Sequence, residues 1–573
     1  LLKYQSEKYR KELKMRKYAV GLDFGTNSMR LLLVNLVTGR EVIEIVENYP
    51  SGKDGVIIDS KNPHLARQNP ADYIFCLAQA GKKLARKMKI KGIKGCDVIG
   101  IGIDTTGSTP IPVDENLVPL AFKKEFRNNK NAMAWLWKDH TASDEAEEIT
   151  GLARKIRPEY LSKIGGVYSS EWFFSKILHL ARTDSRVFEA SASFVELCDF
   201  IPAVLTGCTN PLEIKRSICA AGHKAMYNEK WKGLPDEEFL VNLDPKFKNL
   251  RSKLYEKAYP AGTKAGTLSR HWAKKLGLVE GTPVSVGAFD AHMGAVGAGI
   301  KENVLVKIMG TSTCDIMIFP EGKNLPDIPG LCGIVPDSVV PGYIGLEAGQ
   351  SAVGDIFYWF LKTFLPEKRK DVFSYYTRLA RNIKPGSSGL VALDWHNGNR
   401  TVLVDQKLTG LIAGLTLNTK PEEVYRALIE ATGFGARVII ERLNEYGVQV
   451  DTIIACGGLP EKNSLLMQIY ADITGKEFKI AMSKQTCALG AAIFGAIAAG
   501  KEKSGFASVQ KVQEKICRFK PQTYKPVQAT HLIYDKIYRN YKKLHDMFGV
   551  PDYTGNLYGV MKDMLQIQMN VIK

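Results

Sequence analysis

No stretch of this sequence stays apolar for the roughly 20 residues that a membrane-spanning helix requires. Its opening residues, LLKYQSEKYRKELKMRKY, are charged and lack the apolar centre of a secretory signal. The ten cysteines (Cys76, Cys96, Cys198, Cys208, Cys219, Cys314, Cys332, Cys456, Cys487 and Cys517) stand apart, with no C-x-x-C pair among them. That spacing argues against a zinc ribbon or a disulfide framework and fits reduced thiols. Together these absences predict a cytoplasmic protein. Also missing is any nucleic-acid recognition motif or aromatic stacking platform beside the basic residues. The net charge is +18, but Lys and Arg are dispersed through helix-like segments such as AGKKLARKMKIKGIKG. Neither nucleic acid nor membrane is therefore expected as a partner. Solvated surface, with some attraction for small anionic substrates, accounts for the charge.

What is present is a chain of 573 residues, 45% of them hydrophobic. That exceeds what one core usually holds, so two large domains with a cleft between them are expected. Residues 1–14 read as a separate basic lead, with Met15 a candidate start just before the first strand.

Two glycine-threonine turns carry the most information: Gly25-Thr26 in VGLDFGTNSMRLLLV and Gly310-Thr311 in VLVKIMGTSTCDIMIF. Each follows an apolar strand-like run, opens into hydroxyl or amide residues (Thr26, Asn27 and Ser28; Thr311, Ser312 and Thr313), and returns along a second apolar run. Glycine lets the backbone approach an anion, and exposed N–H groups and short hydroxyls donate to its oxygens. Two such hairpin tips facing one cleft would grip both ends of a triphosphate.

The runs from Tyr18 to Asp23, Met29 to Val37 and Glu41 to Glu47 predict an antiparallel meander. A helix is predicted from Asn69-Pro70 through Met88, followed by a buried strand, DVIGIGID, ending at Asp104. Residues 131–190 read as mainly helical, and the stretch from Gly207 to Asp244 as polar loop. Beyond it the plan repeats, with strands near 283–288, 303–309, CDIMIF and TIIACGG, and helices near 422–446, 465–474 and 488–499. An α/β fold with a weak internal duplication, its second copy starting near Gly297, is the expectation.

The blocks DFGTNSMR, GAFDAHMGAVGAG, MGTSTCDIMI and CGGLPEKNSLLMQIYADITG, in this order, resemble the sugar kinases of the FGGY carbohydrate kinase family. VIGIGIDTTGSTPIPVD, NAMAWLWKDHTASDEAEEIT, GGVYSSEWFFSKILH, CAAGHKAMY and GLEAGQSAVGDIFYWF are similar to its ribulokinase branch, and the similarity runs from about Tyr18 to Gly549. In LWKDHTA, His140 stands where many relatives carry arginine, and ribulokinases share that form. The resemblance implies two ribonuclease-H-like domains of the actin and sugar kinase superfamily flanking a catalytic cleft. A sugar-binding N-terminal domain carrying the first phosphate loop would span 15–296, and a nucleotide-binding C-terminal domain 297–573. The resemblance also implies ATP and Mg2+, with phosphorylation of L-ribulose at its terminal hydroxyl to L-ribulose 5-phosphate, in L-arabinose breakdown. Another sugar or polyol kinase of the family, such as a xylulokinase, is the alternative. The expected partners are a small sugar and ATP, and a homodimer is compatible with the pattern.

Asp290 follows the apolar run PVSVGAF, which would lift its carboxylate to a strand end facing a bound alcohol. The family gives the matching aspartate the role of general base; capping of a helix starting at Ala291 is the other use of such a residue. Asp23 lies two residues before the loop glycine, where a carboxylate beside a triphosphate calls for an intervening Mg2+. Arg30 either neutralises phosphate or pairs with an acid. Gly25, Thr26, Asn27 and Ser28 would hold phosphate from one domain, and Gly310, Thr311 and Ser312 from the other. Gly457, Gly458 and Asn463 match the adenosine block, although Asn463 also reads as an N-cap. By resemblance Gly107, Lys224 and Glu347 form the sugar site with Asp290, with Trp137 and Asp139 as second-tier candidates. A turn glycine, a surface lysine and a helix-terminal acid are the plain readings of the first three.

Overall fold

The structure, a computed structural model, describes residues 16–365 and 370–572. The expectations for the basic lead and for Met15 lie outside the described residues.

The meander forms as β1 (Tyr18–Phe24), β2 (Ser28–Asn35) and β3 (Arg40–Asn48), each antiparallel to the next. Helix α1 (Pro70–Ile90) starts where the Asn69 side chain accepts from the Ala71 N–H, with Pro70 supplying a first-turn φ that needs no donor. It returns the chain to β4 (Val98–Thr105), parallel to β1. β5 (Lys264–Thr267), β6 (Pro283–Ser285) and the short β7 (Ala288–Phe289) complete a sheet of order β5-β6-β4-β1-β2-β3, with β7 also pairing β4.

The second sheet contains β8 (Val304–Met309), β9 (Thr313–Pro320), β10 (Gly333–Pro336), β11 (Tyr343–Ala348), β12 (Thr452–Cys456), β13 (Glu477–Ala481) and β14 (Phe519–Tyr524). Its order is β10-β11-β9-β8-β12-β13-β14. The run β3-β2-β1-β4-β6-β5 therefore has its counterpart in β11-β9-β8-β12-β13-β14: three antiparallel strands, two parallel ones, and an antiparallel edge. The duplication is one of topology.

Between β4 and β5 the chain builds a mostly helical region around its own core, which includes Trp135, Trp172, Phe174 and Phe239. The stretch from Gly207 to Asp244, expected to be polar and rich in loop, also holds helix α2 (Ile218–Lys224), all of whose residues are buried, so it is not polar throughout. The small residues of α2 allow the burial: a Cβ on Gly222 would collide with Val335 of β10.

Helices α3 (Asp290–Ala298) and α6 (Thr486–Ala498) are exchanged between the two halves, with α4 (Pro421–Glu445) and α5 (Ser464–Thr474) lying between them in sequence. Helix α6 lies across β1 and β4 of the first sheet, while α3 packs on β8 of the second and on α6 itself. Alternation along the strands explains the fit. Val20, Leu22, Ile101 and Ile103 point into the core beneath α1. Gly21, Gly100 and Gly102 point the other way, where a Cβ would collide with the backbone carbonyls of Ala488, Gly495 and Ala491. At the helix crossing, a Cβ on Gly297 would strike Thr486 O and one on Gly490 would strike Met293 O. One shared core of Ala19, Val296, Val306, Ala488 and Ala492 results. Among the described residues, no helix is long and apolar enough to cross a membrane.

Candidate active site

The period that points Gly21 and Gly102 toward α6 places the next residues of the same face, Asp23 and Asp104, at the strand ends. Register pairs Asp23 with Asp104, and Asp104 with Ala288 of β7, two residues before Asp290. Arg30 Nη1 donates to Asp23 Oδ2 at 2.9 Å, whereas Asp23 Oδ1 and both oxygens of Asp104 receive no donor among the described residues unless one of the two neighbouring carboxyls is protonated and bonds the other. Asp290 is the first residue of α3, and its Oδ1 accepts from the adjacent Ala291 N–H at 2.7 Å; the helix expected to start at Ala291 starts one residue earlier, with Phe289 and not Asp290 as its N-cap.

Burial raises the pKa of Asp23 despite Arg30, and raises that of Asp104 well above the carboxylate range. Asp290 is raised to about 7, first by burial and then by the Asp23 charge. Buried carboxylates with so few donors are tolerable only when protonated or bound to a cation. The orphaned oxygens of Asp23 and Asp104 are hard donors that fit a divalent ion. Asp104 is absent from the residues singled out in the sequence. The alternation of GIGID in β4 carries its signal, since it sets Asp104 on the face of the two glycines.

At the first hairpin tip the Gly25 N–H donates to Ser28 O at 3.0 Å. Trp137 Nε1 donates to Thr26 Oγ1 at 3.0 Å, and Gln68 Nε2 donates to Thr26 O at 2.7 Å, so the LWKDHTA segment reaches the first hairpin tip through its tryptophan. The Asn27 amide is engaged by Asp54 O at 2.6 Å and Ser28 is buried in β2, which leaves mainly backbone to meet a ligand. At the second tip Gly310 and Thr311 are exposed and Ser312 half-buried. The carbonyls of Gly310 and Thr311 accept from the N–H groups of Gly354 and Val353 at 3.2 and 2.8 Å. Gly457 adopts φ +98, and a Cβ there would collide with Met309 O, so the adenosine-block glycine abuts the second tip. Gly458 faces open space, while Asn463 caps α5 by accepting from the Leu466 N–H at 3.0 Å.

Lys224 at the end of α2 meets Glu347 of β11, with Nζ 2.9 and 3.1 Å from the two carboxylate oxygens. Lys224 is only 6% exposed, so the plain surface reading fails for it. With Lys224 and His223 alongside, the Glu347 carboxyl is held well below its ordinary range despite burial. His292 of α3 joins this group. Neither histidine was singled out in the sequence, where both look like spacers within AGHK and FDAH. A Cβ on Gly107 would collide with the Phe289 ring, so packing against the residue before Asp290 fixes that glycine. Asp139 is a buried anchor: it pairs with Arg67, whose guanidinium lies 3.4 Å over the Trp135 ring, and accepts from the Ala66 N–H at 2.6 Å. Lys176 ties the two loops, donating to Ser108 O at 2.7 Å and Leu136 O at 2.9 Å; burial brings its pKa down to about 7.

The FGGY family of carbohydrate kinases matches this chain twice, its N-terminal domain over residues 18–297 and its C-terminal domain over 305–499. The chain belongs to the FGGY family of carbohydrate kinases. This FGGY kinase is 44% identical over 548 residues to a ribulokinase of Geobacillus thermodenitrificans, covering 93% of the chain and 95% of the relative. It is 42% identical over 547 residues to a ribulokinase of Halalkalibacterium halodurans, with 93% and 95% covered. Its fold matches that of xylulose kinase from Rhodospirillum rubrum, with a TM-score of 0.75 at 21% identity, covering 93% and 99% of the two chains. Glycerol kinase from Plasmodium falciparum with ADP gives 0.73 at 16% identity, with 92% and 98% covered. Membership makes this FGGY kinase an enzyme that uses ATP to phosphorylate a carbohydrate.

Proposed function

We propose that this kinase transfers the γ-phosphoryl group of ATP to the terminal hydroxyl of L-ribulose, giving L-ribulose 5-phosphate in the cytoplasmic breakdown of L-arabinose. The observation that carries this reading is the Lys224–Glu347 pair standing beside Asp290, in a chain aligned over 93% of its length with ribulokinases. A ketopentose offers one carbonyl and several hydroxyls. Lys224 donates to its oxygens and Glu347 accepts from its hydroxyls, and a mismatched sugar leaves these buried charges unmet.

The Asp290 carboxylate takes the proton of the attacking hydroxyl. A pKa of about 7 suits that role, because base strength and the deprotonated fraction are then both useful near neutrality. The backbone of Gly25, Thr26, Gly310, Thr311 and Ser312 holds the phosphates from the two halves, and the Gly457–Gly458 turn receives the nucleoside. Arg30 orients Asp23. Asp23 and Asp104 would hold Mg2+, which when bound neutralises phosphate charge. Positioning dominates: near-attack geometry contributes roughly 7–11 kcal/mol, against about 10²- to 10⁴-fold in rate from a base.

ADP release with L-ribulose, D-xylulose and glycerol tests the reading. A clear preference for L-ribulose is expected; preference for D-xylulose or glycerol would replace it with another kinase of the family.

A further inference from the structure

Glu347 does not meet Lys224 alone. Its Oε2 lies 3.2 Å from His223 Nδ1 and 3.7 Å from His292 Nε2, while its Oε1 faces Lys224 at 2.9 Å. The two imidazoles touch, Nε2 to Nε2 at 3.1 Å with ring centroids 4.4 Å apart, and are 0% and 2% exposed. The place is built for them. Gly333 stands opposite Glu347 across β10 and β11, and a Cβ there would collide with the His223 ring. A Cβ on Gly345 would strike Ser338 Oγ, which lies 3.0 Å from His223 Nε2.

Proton placement follows from donors and acceptors. Burial lowers the pKa of both imidazoles, that of His292 furthest, so both are neutral near pH 7. A neutral His223 with its proton on Nε2 would turn a bare Nδ1 lone pair toward the Glu347 carboxylate. With the proton on Nδ1, it faces the carboxylate at 3.2 Å, and Nε2 is left to accept from His292 Nε2–H at 3.1 Å or from the Ser338 hydroxyl, 3.0 Å away, which otherwise donates to Val335 O at 2.9 Å. The directed chain is then His292 to His223 to Glu347.

We propose that His223 and His292 are positioning residues for the sugar, a role that rests on the function proposed above. They act through Glu347: the histidines crowd Oε2, so that Oε1, already paired with Lys224, is the oxygen that shares itself with a substrate hydroxyl. His292 also shares α3 with Asp290, two residues along. One buried chain thereby fixes the sugar's anchor relative to the base, and so which hydroxyl reaches the phosphoryl group.

The test uses the full chain with ATP and L-ribulose. His292→Phe keeps a ring and removes the N–H, while His292→Gln keeps a donor. The expected result for His292→Phe is a rise in KM for L-ribulose of about 10- to 100-fold with the Kd for ATP unchanged. Recovery of most of that loss in His292→Gln is expected too. An unchanged sugar KM in folded His292→Phe overturns the inference, as does equal weakening of ATP and sugar, which marks general damage. If His292→Phe does not fold, nitrogen-15 shifts of the wild-type histidines, assigned with His223→Gln, decide. A proton on His223 Nδ1 is expected, and one on Nε2 overturns the chain. A wild type inert toward L-ribulose fails the proposed function instead, and the His223 tautomer still decides this inference.

Discussion

Asp23 and Asp104 sit side by side on parallel strands, and among the described residues Arg30, on Asp23 Oδ2, is the one N–H donor their four carboxylate oxygens receive. The fold thus keeps an uncompensated acidic pair beside Asp290, and several measurable properties depend on it.

Replacing Asp104 with Asn removes a fully buried carboxylate that has no donor. The ion-free protein is expected to lose less stability than the wild type as pH rises, because one buried carboxyl no longer ionises, and to lose affinity for divalent ions. Thermal unfolding without metal across pH and Mn2+ titration followed by electron paramagnetic resonance check both halves. A variant whose stability falls with pH as steeply as the wild type's and whose Mn2+ binding is undiminished contradicts the assignment.

Stability of the ion-free protein should fall as pH rises. Asp290 titrates near 7 in the folded chain against an ordinary value of 3.8, and Asp23 and Asp104 are raised too. The folded state therefore binds more protons than the unfolded state, and the loss for Asp290 runs from about pH 3.8 to about 7. Mg2+ is expected to raise the unfolding temperature more at pH 8 than at pH 5. Calorimetry at the two values, with and without Mg2+, measures the difference.

The activity profile has the opposite slope. Asp290 serves as a base only when deprotonated, so kcat/KM for L-ribulose should climb with pH below about 7 and level above it. A profile flat from pH 5.5 to 8.5 would contradict the role.

Asp290→Asn should retain sugar and ATP binding, because Lys224, Glu347 and the two hairpin tips are untouched. Its turnover is expected to drop by about 10²- to 10⁴-fold. Single-turnover ADP release beside calorimetric sugar binding separates the two effects, and near-normal turnover would refute the assignment.

Gly490→Ala tests the crossing of α3 and α6, where the added methyl would meet Met293 O. Overpacking of this kind costs about 1–3 kcal/mol. The variant should unfold earlier and lose activity even though no proposed ligand-contacting residue has changed.

Much of this was legible in the chain. The β1–β2 hairpin, the second tip at Gly310 and the apolar run into Asp290 are local patterns, and local patterns survive without coordinates. The exchange of α3 and α6 was not legible, because nothing near Thr486 states which sheet that helix will cover. Its trace lay in Gly21, Gly100 and Gly102, whose alternation has a reason only once a helix backbone is laid against them. On its own Lys224 reads as surface because its partner, Glu347, is 123 residues away in sequence. Asp104 was passed over for a similar reason: a strand-end acid looks ordinary until its missing donors are seen.

The crossing also bears on how the chain is made. Ala488, Ala491 and Gly495 cover strands that leave the ribosome long before them. Throughout that interval β1 and β4 carry a bare glycine groove, and a nascent chain halted before Thr486 has no means of closing it. The first half is therefore not an independent folding unit despite its complete set of strands, and a protein split between α3 and β8 should become soluble only when both pieces are produced together.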